Sequence, residues 1–216
     1  ARSCVATSAE LWTPIRSLLA ATREARVLGY GASRFSFNRP EGRCPACAGT
    51  GTIEVELGPL PSARVPCEAC SGGRFAPATL QVRWRGLDAA ALLALTVDEV
   101  APLFEGQRGL RRLTGALSAV GLGYLTLGQR TDSLSGGEHQ RLQLAVELAR
   151  ATGSALGDRP AAGTLLVVDA PAAGLHVDDV PNVVRPLQDL CRKGATVVAV
   201  AYHPLVVGAA DRVVQL

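Results

Sequence analysis

Apolar and polar positions recur with different periods along the chain, and each period predicts a type of secondary structure. Apolar residues three and four positions apart from Leu11 to Leu19 predict a helix near the N-terminus. Residues 53–57 alternate apolar and acidic side chains, which predicts a strand with one solvated face. The helical period returns in three further segments, which we expect to be helices: about 108–120, 136–151 and 180–193.

The C-terminal region contains two continuously apolar, β-branched runs, 164–168 and 196–201, which predict buried strands. The helix expected at 180–193 lies between them, and strand-helix-strand order predicts a parallel βαβ unit within an α/β fold. A last short strand is predicted at 212–215. The segment 96–99 reads Thr-Val-Asp-Glu, the spacing of a capping box, which predicts a short helix starting there.

Composition and charge narrow the class of protein only slightly. The 216 residues are 48% apolar, enough for one large domain or two small ones. The net charge of +3 permits an anionic partner without requiring one. Segment 34–85 carries seven arginines against four glutamates, and guanidinium groups suit bidentate phosphate contacts. Because Lys193 is the sole lysine, the bias covers the whole chain, and a genome-wide preference for arginine codons is the favoured explanation.

Signals for a membrane or for secretion are missing from the sequence. No apolar run approaches the ~20 residues needed to span a bilayer, and the N-terminus has no hydrophobic signal core. We therefore expect a cytoplasmic protein without a membrane partner. The sequence contains no methionine, even at position 1, so we expect it to be a piece of a longer chain.

Four cysteines have the spacing of a metal site. Cys44 and Cys47 form one CxxC pair, Cys67 and Cys70 form a second, and 19 residues separate the pairs. Two such turns facing each other supply the tetrahedral sulfur shell that zinc prefers, with no open position for catalysis. The alternatives are two disulfides, which a cytoplasmic chain disfavours, or four unrelated thiols. Glycines after each pair permit turns that direct backbone amides at the sulfurs.

A second candidate site begins at Leu134-Ser135-Gly136-Gly137-Glu138, ahead of the helix expected at 136–151. Ser135 and Glu138 alone have the spacing of an ordinary capping box. Two consecutive glycines in a first helical turn each cost roughly 1 kcal/mol relative to alanine, however, and a capping box does not require them. Exposed amides at a positive helix end suit a phosphate group.

At this point the sequence resembles the ABC ATPase family, whose LSGG signature binds nucleotide phosphate. The resemblance continues in the family's order. Segment 165–169 looks like a Walker B strand, with Asp169 where the family has its Mg²⁺-holding aspartate. Ala173-Gly174-Leu175-His176 lies where the family has its D-loop, and His203 matches the switch histidine near the γ-phosphate. Taken singly, Asp169 or His203 would be an ordinary strand end or helix cap.

Within the ABC ATPases, the chain is most similar to UvrA, the DNA-repair family with a zinc module before its C-terminal signature. The shared motifs run almost from end to end: Thr13-Pro14-Ile15-Arg16, Phe35-Ser36-Phe37-Asn38, Gly42-Arg43-Cys44, Val65-Pro66-Cys67, Leu127-Gly128-Gln129 and Gly174-Leu175-His176. The resemblance implies a partial ABC-type α/β lobe with a parallel sheet, a helical signature subdomain and a small zinc-ribbon-like β module. The expected divisions are 1–43, the zinc module 44–86, the signature subdomain 87–152 and the ATPase core 153–216.

The sequence departs from the family at three places. No GxxxxGK[ST] phosphate loop is present, Ala170 follows Asp169 where the family has a catalytic glutamate, and the loop at 151–163 is longer than usual. The resemblance therefore implies ATP and Mg²⁺ at a shared site that needs segments beyond this chain. We expect little ATP hydrolysis by the chain alone.

The resemblance implies an ATP-binding subunit of nucleotide excision repair that recognises damaged duplex DNA, forms a homodimer and engages a UvrB-like partner. One alternative is a UvrA-like paralogue that protects against a DNA-intercalating drug. Another is an inactive, truncated remnant. A third, a cysteine-rich chaperone module of the DnaJ type, has more CxxC repeats and no ABC signature.

Overall fold

The computed structural model describes residues 2–58, 60–151 and 163–215. The predicted long loop at 151–163, and the start of the division expected at 153–216, fall largely outside these residues. The chain divides into two compact units. The first comprises Ala1–Leu95 with Thr126–Asp132, and the second comprises Thr96–Leu125 with Ser133–Leu216.

The first unit combines short helices with one antiparallel hairpin. Its helices and strands are α1 (Val5–Ser8), α2 (Trp12–Ala20), α3 (Arg23–Val27), β1 (Thr52–Leu57), β2 (Leu60–Pro66), α4 (Pro77–Leu80) and α5 (Ala89–Ala94), with 3₁₀ turns at Ala32–Phe35 and Glu68–Cys70. The predicted N-terminal helix is confirmed as α2. Its apolar face is buried because Trp12 packs against the rings of Phe37 and Phe75, with centroids 6.0 Å apart in each pair. The Trp12 indole N–H also donates to the Phe35 carbonyl at 3.0 Å.

The β1–β2 hairpin pairs Thr52 with Pro66 and Leu57 with Leu60, with an irregularity between Val55 and Leu57. The strand expected at 53–57 is therefore confirmed, but its solvation was predicted wrongly. Both faces are exposed, since Val55 is 40% accessible on the apolar face and the acidic residues are exposed on the other. A two-stranded ribbon buries a face only when another layer covers it.

Segment 126–132 returns to the first unit and ties its ends together. Val5 N–H donates to the Gln129 carbonyl at 2.9 Å, and Leu127 N–H donates to the Leu95 carbonyl at 2.9 Å. The residues just before the predicted signature are therefore held by backbone bonds to two separate parts of this unit.

The second unit contains the longer helices and a parallel ladder. Its elements are α6 (Val97–Val100), α7 (Arg108–Ala119), α8 (Gly136–Ala151), β3 (Leu165–Asp169), α9 (Val180–Arg192), β4 (Thr196–Val200) and α10 (Pro204–Val207), with 3₁₀ turns at Ala101–Phe104 and Val177–Asp179 and a further one, Thr131–Ser133, at the unit boundary. The helices expected at 108–120, 136–151 and 180–193 are confirmed within a residue at each end. The capping box is also confirmed, because Thr96 and Glu99 exchange side-chain and backbone hydrogen bonds of 3.2 and 2.8 Å.

The predicted βαβ unit is confirmed, since β3 and β4 pair in parallel from Leu165↔Thr196 to Asp169↔Val200. The predicted burial of these strands is wrong. Alternate residues remain exposed, and Leu165 and Val167 are 63% and 64% accessible, because no described element covers the outer face of the ladder. The strand expected at 212–215 is also wrong, as those residues have no ladder partner. No helix among the described residues is both long and apolar enough to cross a bilayer.

Candidate functional site

The four cysteines of the two CxxC pairs come together in the first unit. The sulfur atoms of Cys44, Cys47, Cys67 and Cys70 all lie within 4.8 Å of one another, and three of the four residues are buried. The Cys47 and Cys70 sulfurs are 3.7 Å apart. A tetrahedral shell with metal–sulfur bonds of about 2.3 Å requires sulfur pairs about 3.8 Å apart. The cluster can therefore hold a metal ion, and Cys4 and Cys191 lie outside it.

The backbone conformation after each pair is the same, and it explains the glycines there. Ala48 and Gly49 follow the first pair with φ of +49° and +83°, and Ser71 and Gly72 follow the second with +47° and +79°. In each turn the chain stays in the left-handed region for two residues, where glycine carries no Cβ penalty. This doubled turn folds the backbone amides back toward the sulfurs, as the sequence predicts.

The electrostatics of the sulfurs indicate a site that needs a cation to ionise fully. Burial disfavours the Cys47 thiolate, but N–H groups of Gly51 and Gly49 outweigh it and lower the pKa of Cys47 to about 7. The Gly51 N–H lies 3.3 Å from the Cys47 sulfur. Burial and the neighbouring sulfurs raise the pKa of Cys70 to about 12. One thiolate thus suppresses ionisation of the next, and a divalent ion removes that repulsion.

Arg74, which the sequence did not single out, supports this cluster from within the first unit. Its backbone carbonyl accepts from the Cys44 N–H at 2.8 Å, and its buried guanidinium donates to the Gly128 carbonyl at 2.8 Å and the Arg2 carbonyl at 3.2 Å. The guanidinium carbon also lies 5.1 Å from the centre of the Phe37 ring. No sequence pattern distinguishes this arginine from the exposed ones nearby, because its partners are backbone carbonyls distant in the chain.

The predicted signature lies at the start of α8 in the second unit. The Ser135 N–H donates to the Glu138 carboxylate at 2.7 Å, and the Glu138 N–H donates to the Ser135 hydroxyl at 3.2 Å. The capping box that the spacing of Ser135 and Glu138 predicts is therefore present. A hydrogen bond from the Tyr124 hydroxyl holds the pKa of Glu138 below its ordinary value. Ser135 and Gly136 are exposed, and a Cβ added at Gly136 would meet no atom within 4 Å, so a ligand has access to this helix tip.

Asp169 and His203 lie at one edge of the parallel ladder. Asp169 ends β3 opposite Val200, the last residue of β4, and His203 follows three residues later. Carboxyl ends of parallel strands are where ligands bind in α/β folds. The His203 Nδ1 accepts from the Leu205 N–H at 3.2 Å and so caps α10. The ordinary cap considered in the sequence is thus present here too.

Gln140, a second residue missed in the sequence, links α8 to this edge. Its side-chain amide donates to the carbonyls of Asp169 at 3.2 Å and Ala170 at 2.8 Å. A Cβ placed on Gly137 would lie 3.6 Å from the Gly174 carbonyl oxygen. The start of α8, the end of β3 and the turn after it therefore form one contiguous surface within the second unit.

Comparison with known proteins agrees with this arrangement. No protein-family model matches the chain. Its sequence is 42% identical over 215 residues to UvrABC system protein A of Micrococcus luteus, and 41% identical over 216 residues to that of Staphylococcus aureus strain COL, in each case along 100% of this chain. The structure superposes on that of UvrA2 from Deinococcus radiodurans with a TM-score of 0.84 and 45% identity over 97% of this chain. The chain belongs to the UvrA family. It spans about a fifth of the length of these curated UvrA relatives (21% and 22%) and a quarter (25%) of the solved UvrA2 chain.

Membership of the UvrA family confirms the resemblance inferred from the motifs. The predicted α/β fold class is confirmed as well, with helices, a small parallel sheet and a small antiparallel sheet. The individual roles assigned to Leu134–Glu138, Asp169, Gly174 and His203 remain predictions, as does the identity of the metal.

Proposed function

We propose that this chain is the zinc-bearing, signature-bearing part of an ATP-binding UvrA-type subunit of nucleotide excision repair. The observation that carries the proposal is the 40–42% identity to proteins named UvrABC system protein A over the whole chain. The surrounding geometry supports it, because a four-sulfur cluster and an exposed Ser-Gly helix tip occur in one polypeptide.

The metal of the cysteine cluster is, in this proposal, a structural zinc ion. Cys44, Cys47, Cys67 and Cys70 supply four thiolates and leave no position for water or substrate. The zinc would supply charge neutralisation and a cross-link between the two turns. The residues contribute the rest, since Gly51 donates to the Cys47 sulfur and Arg74 bonds the second turn to Gly128.

ATP with Mg²⁺ is the proposed nucleotide. Leu134, Ser135, Gly136, Gly137 and Glu138 would face the triphosphate held by the opposing ATPase half. The Ser135 hydroxyl and the Gly136 amide are exposed there and suit an anion. Asp169 would hold Mg²⁺ at the edge of the ladder. His203 and Gly174 complete this proposed set, His203 through the ring nitrogen that does not cap α10.

Ala170 makes the nucleotide site that contains Asp169 unequal to the site in the opposing ATPase half that this chain's signature would complete. Its methyl side chain can neither accept a proton nor orient a water, while the signature keeps its donors for the other site. The backbone at Ala170 is fixed at a φ of +44° by a 2.8 Å bond from its N–H to the Val200 carbonyl and by Gln140. We therefore expect a longer side chain at position 170 to leave the backbone conformation unchanged.

The test is ATP turnover by the full-length protein before and after Ala170→Glu. General-base catalysis contributes on the order of 10²-fold or more, so we expect a clear increase. Ala170→Gln, which adds the same length without a base, is the matched control and leaves the rate low. An unchanged rate in Ala170→Glu refutes the assignment of Asp169 and Ala170 to a nucleotide site.

Duplex DNA, especially damaged duplex, is the proposed substrate of the whole protein, with a UvrB-like protein as its partner in the cytoplasm. The chain has few aromatic residues, 4% in all, so recognition by shape and deformability suits it better than base stacking. Binding is expected to weaken steeply with salt.

A second candidate, a UvrA-like paralogue that protects against a DNA-intercalating drug, is favoured by one observation. Ala170 stands where the family pattern has a glutamate, and such a departure suits a divergent paralogue. Affinity for an intercalating drug without affinity for damaged duplex would select this candidate.

A further inference from the structure

The seven arginines of segment 34–85 are not equivalent once their contacts are known. Arg74 is 6% accessible and bonded to backbone carbonyls. Arg64 forms an ion pair with Asp132 at 3.3 Å, and Arg34 donates to the Thr79 hydroxyl at 3.1 Å while lying 4.4 Å over the Tyr30 ring. Three of the seven charges are thus already occupied within the protein. The side chains of the remaining four form no hydrogen bond or ion pair with another described residue: Arg39, Arg43, Arg83 and Arg85.

Two of these four, Arg83 and Arg85, are exposed and lie two positions apart on one tight turn. Trp84 and Leu87 exchange both backbone hydrogen bonds, at 2.9 and 3.0 Å, and enclose Arg85 and Gly86. Both enclosed residues have positive φ, +51° and +82°, as in a type I′ turn. The turn therefore presents Arg85 at its tip, and Arg83 lies one residue before the hydrogen-bonded pair.

Arg85 occupies a position that disfavours its own residue type. The first central position of such a turn prefers Asn, Asp or Gly, and a left-handed conformation costs other residues roughly 1–2 kcal/mol. The Arg85 guanidinium carbon lies 5.1 Å from the centre of the Trp84 ring, which restrains the side chain. A strained residue whose charged group lies over a neighbouring ring points to a function for that group.

The acidic residue nearest to this turn in the chain forms no ion pair with Arg83 or Arg85. Asp88, which follows it, accepts from the N–H groups of Ala90 and Ala91 at 2.9 Å as the cap of α5. By contrast, the β1 strand of the cysteine hairpin exposes Glu54 and Glu56, which repel phosphate. The unpaired positive charge thus lies on the turn rather than on this face of the hairpin.

We propose that Arg83 and Arg85, on the turn 83–87, contact backbone phosphates of duplex DNA. The proposal rests on the proposed function, since it names the contact residues for the same substrate. Guanidinium groups bind phosphate without reading bases, so the turn contributes affinity equally on damaged and undamaged duplex. Lesion discrimination comes from elsewhere in the protein.

The test is the salt dependence of duplex binding by the full-length protein carrying Arg83→Gln and Arg85→Asn together. Asparagine suits the left-handed position, so the variant loses two charges and keeps the turn. Each phosphate contact contributes about 0.9 to the slope of log K against log salt concentration, so we expect the slope to fall by about 2. The control is Arg185→Gln with Arg192→Gln, which removes the same charge from α9 of the second unit and leaves the slope unchanged.

Fluorescence anisotropy with one lesion-bearing and one intact duplex separates the outcomes. An equal loss on both duplexes, with the lesion preference retained, supports the contact. An unchanged slope in the turn variant, or an equal fall in the α9 control, overturns it while leaving the repair function intact. Failure of the unaltered protein to bind either duplex overturns the proposed function itself.

Discussion

Gly49→Ala tests the doubled turn after Cys47, which the cysteine cluster depends on. Gly49 has a φ of +83°, and a Cβ built on it would lie 2.0 Å from the Phe37 carbonyl oxygen. That oxygen cannot move away easily. Phe37 is 1% accessible, and its ring packs against Trp12 and Phe75, with centroids 6.0 Å from each.

The structure supplies a matched control in Gly29, whose φ is +66° and whose added Cβ would meet nothing within 4 Å. Gly29→Ala therefore reports the backbone penalty alone, about 1 kcal/mol. Gly49→Ala adds the cost of forcing an atom into a packed site, about 1–3 kcal/mol. The difference between the two variants corresponds to roughly a 5- to 140-fold change in the equilibrium for local opening.

Because a large protein need not unfold in two states, we would measure this local opening directly. Hydrogen exchange of the amides in 44–74 and the rate of zinc release to a chromophoric chelator should both rise far more in Gly49→Ala than in Gly29→Ala. Equal, mild effects of the two substitutions would contradict the turn geometry. Faster exchange with unchanged zinc release would show that the turn does not support the metal.

Other predictions follow from single contacts. Elemental analysis of freshly purified protein should find one zinc ion in this cysteine cluster, and Cys67→Ser should lose that ion. Wild-type protein purified without this zinc would contradict a structural role for the metal. Tyr124→Phe should raise the pKa of Glu138 toward its ordinary value, measured by NMR titration. Because the pKa of Glu138 is lowered in the folded state, the ionised carboxylate stabilises the fold at neutral pH. This stabilisation is lost as the pH falls through the folded-state pKa of Glu138. The Tyr124→Phe variant should lose it at a higher pH than the wild-type protein. Thr96→Ala should cost about 1 kcal/mol by removing an N-cap, whereas Thr96→Ser should cost much less, measured by hydrogen exchange in α6.

Local patterns in the sequence predicted local structure well. The spacing of Thr96 and Glu99 identified a capping box, and the two CxxC pairs predicted sulfurs close enough to share an ion. In both cases the interacting groups lie within a few residues or within a motif whose geometry is fixed by its ligands. Arg74 and Gln140 could not be found this way, because their partners are backbone carbonyls, which carry no residue-type signal.

The same limit explains the error about burial in the parallel ladder. The apolar residues of β3 and β4 show that both faces of such strands favour cover, yet the pattern does not say which polypeptide segment provides it. In the structure α9 packs on one side, while the other side leaves Leu165, Val167, Val198 and Val200 exposed, at 63%, 64%, 48% and 50%. An apolar pattern therefore predicts that a strand favours burial. Only the contacts in the structure show whether the described residues bury it. The same limit applies to the arginines of 34–85. Their number indicated a basic surface, but only their contacts show which guanidinium groups are bonded within the protein and which are available to a ligand.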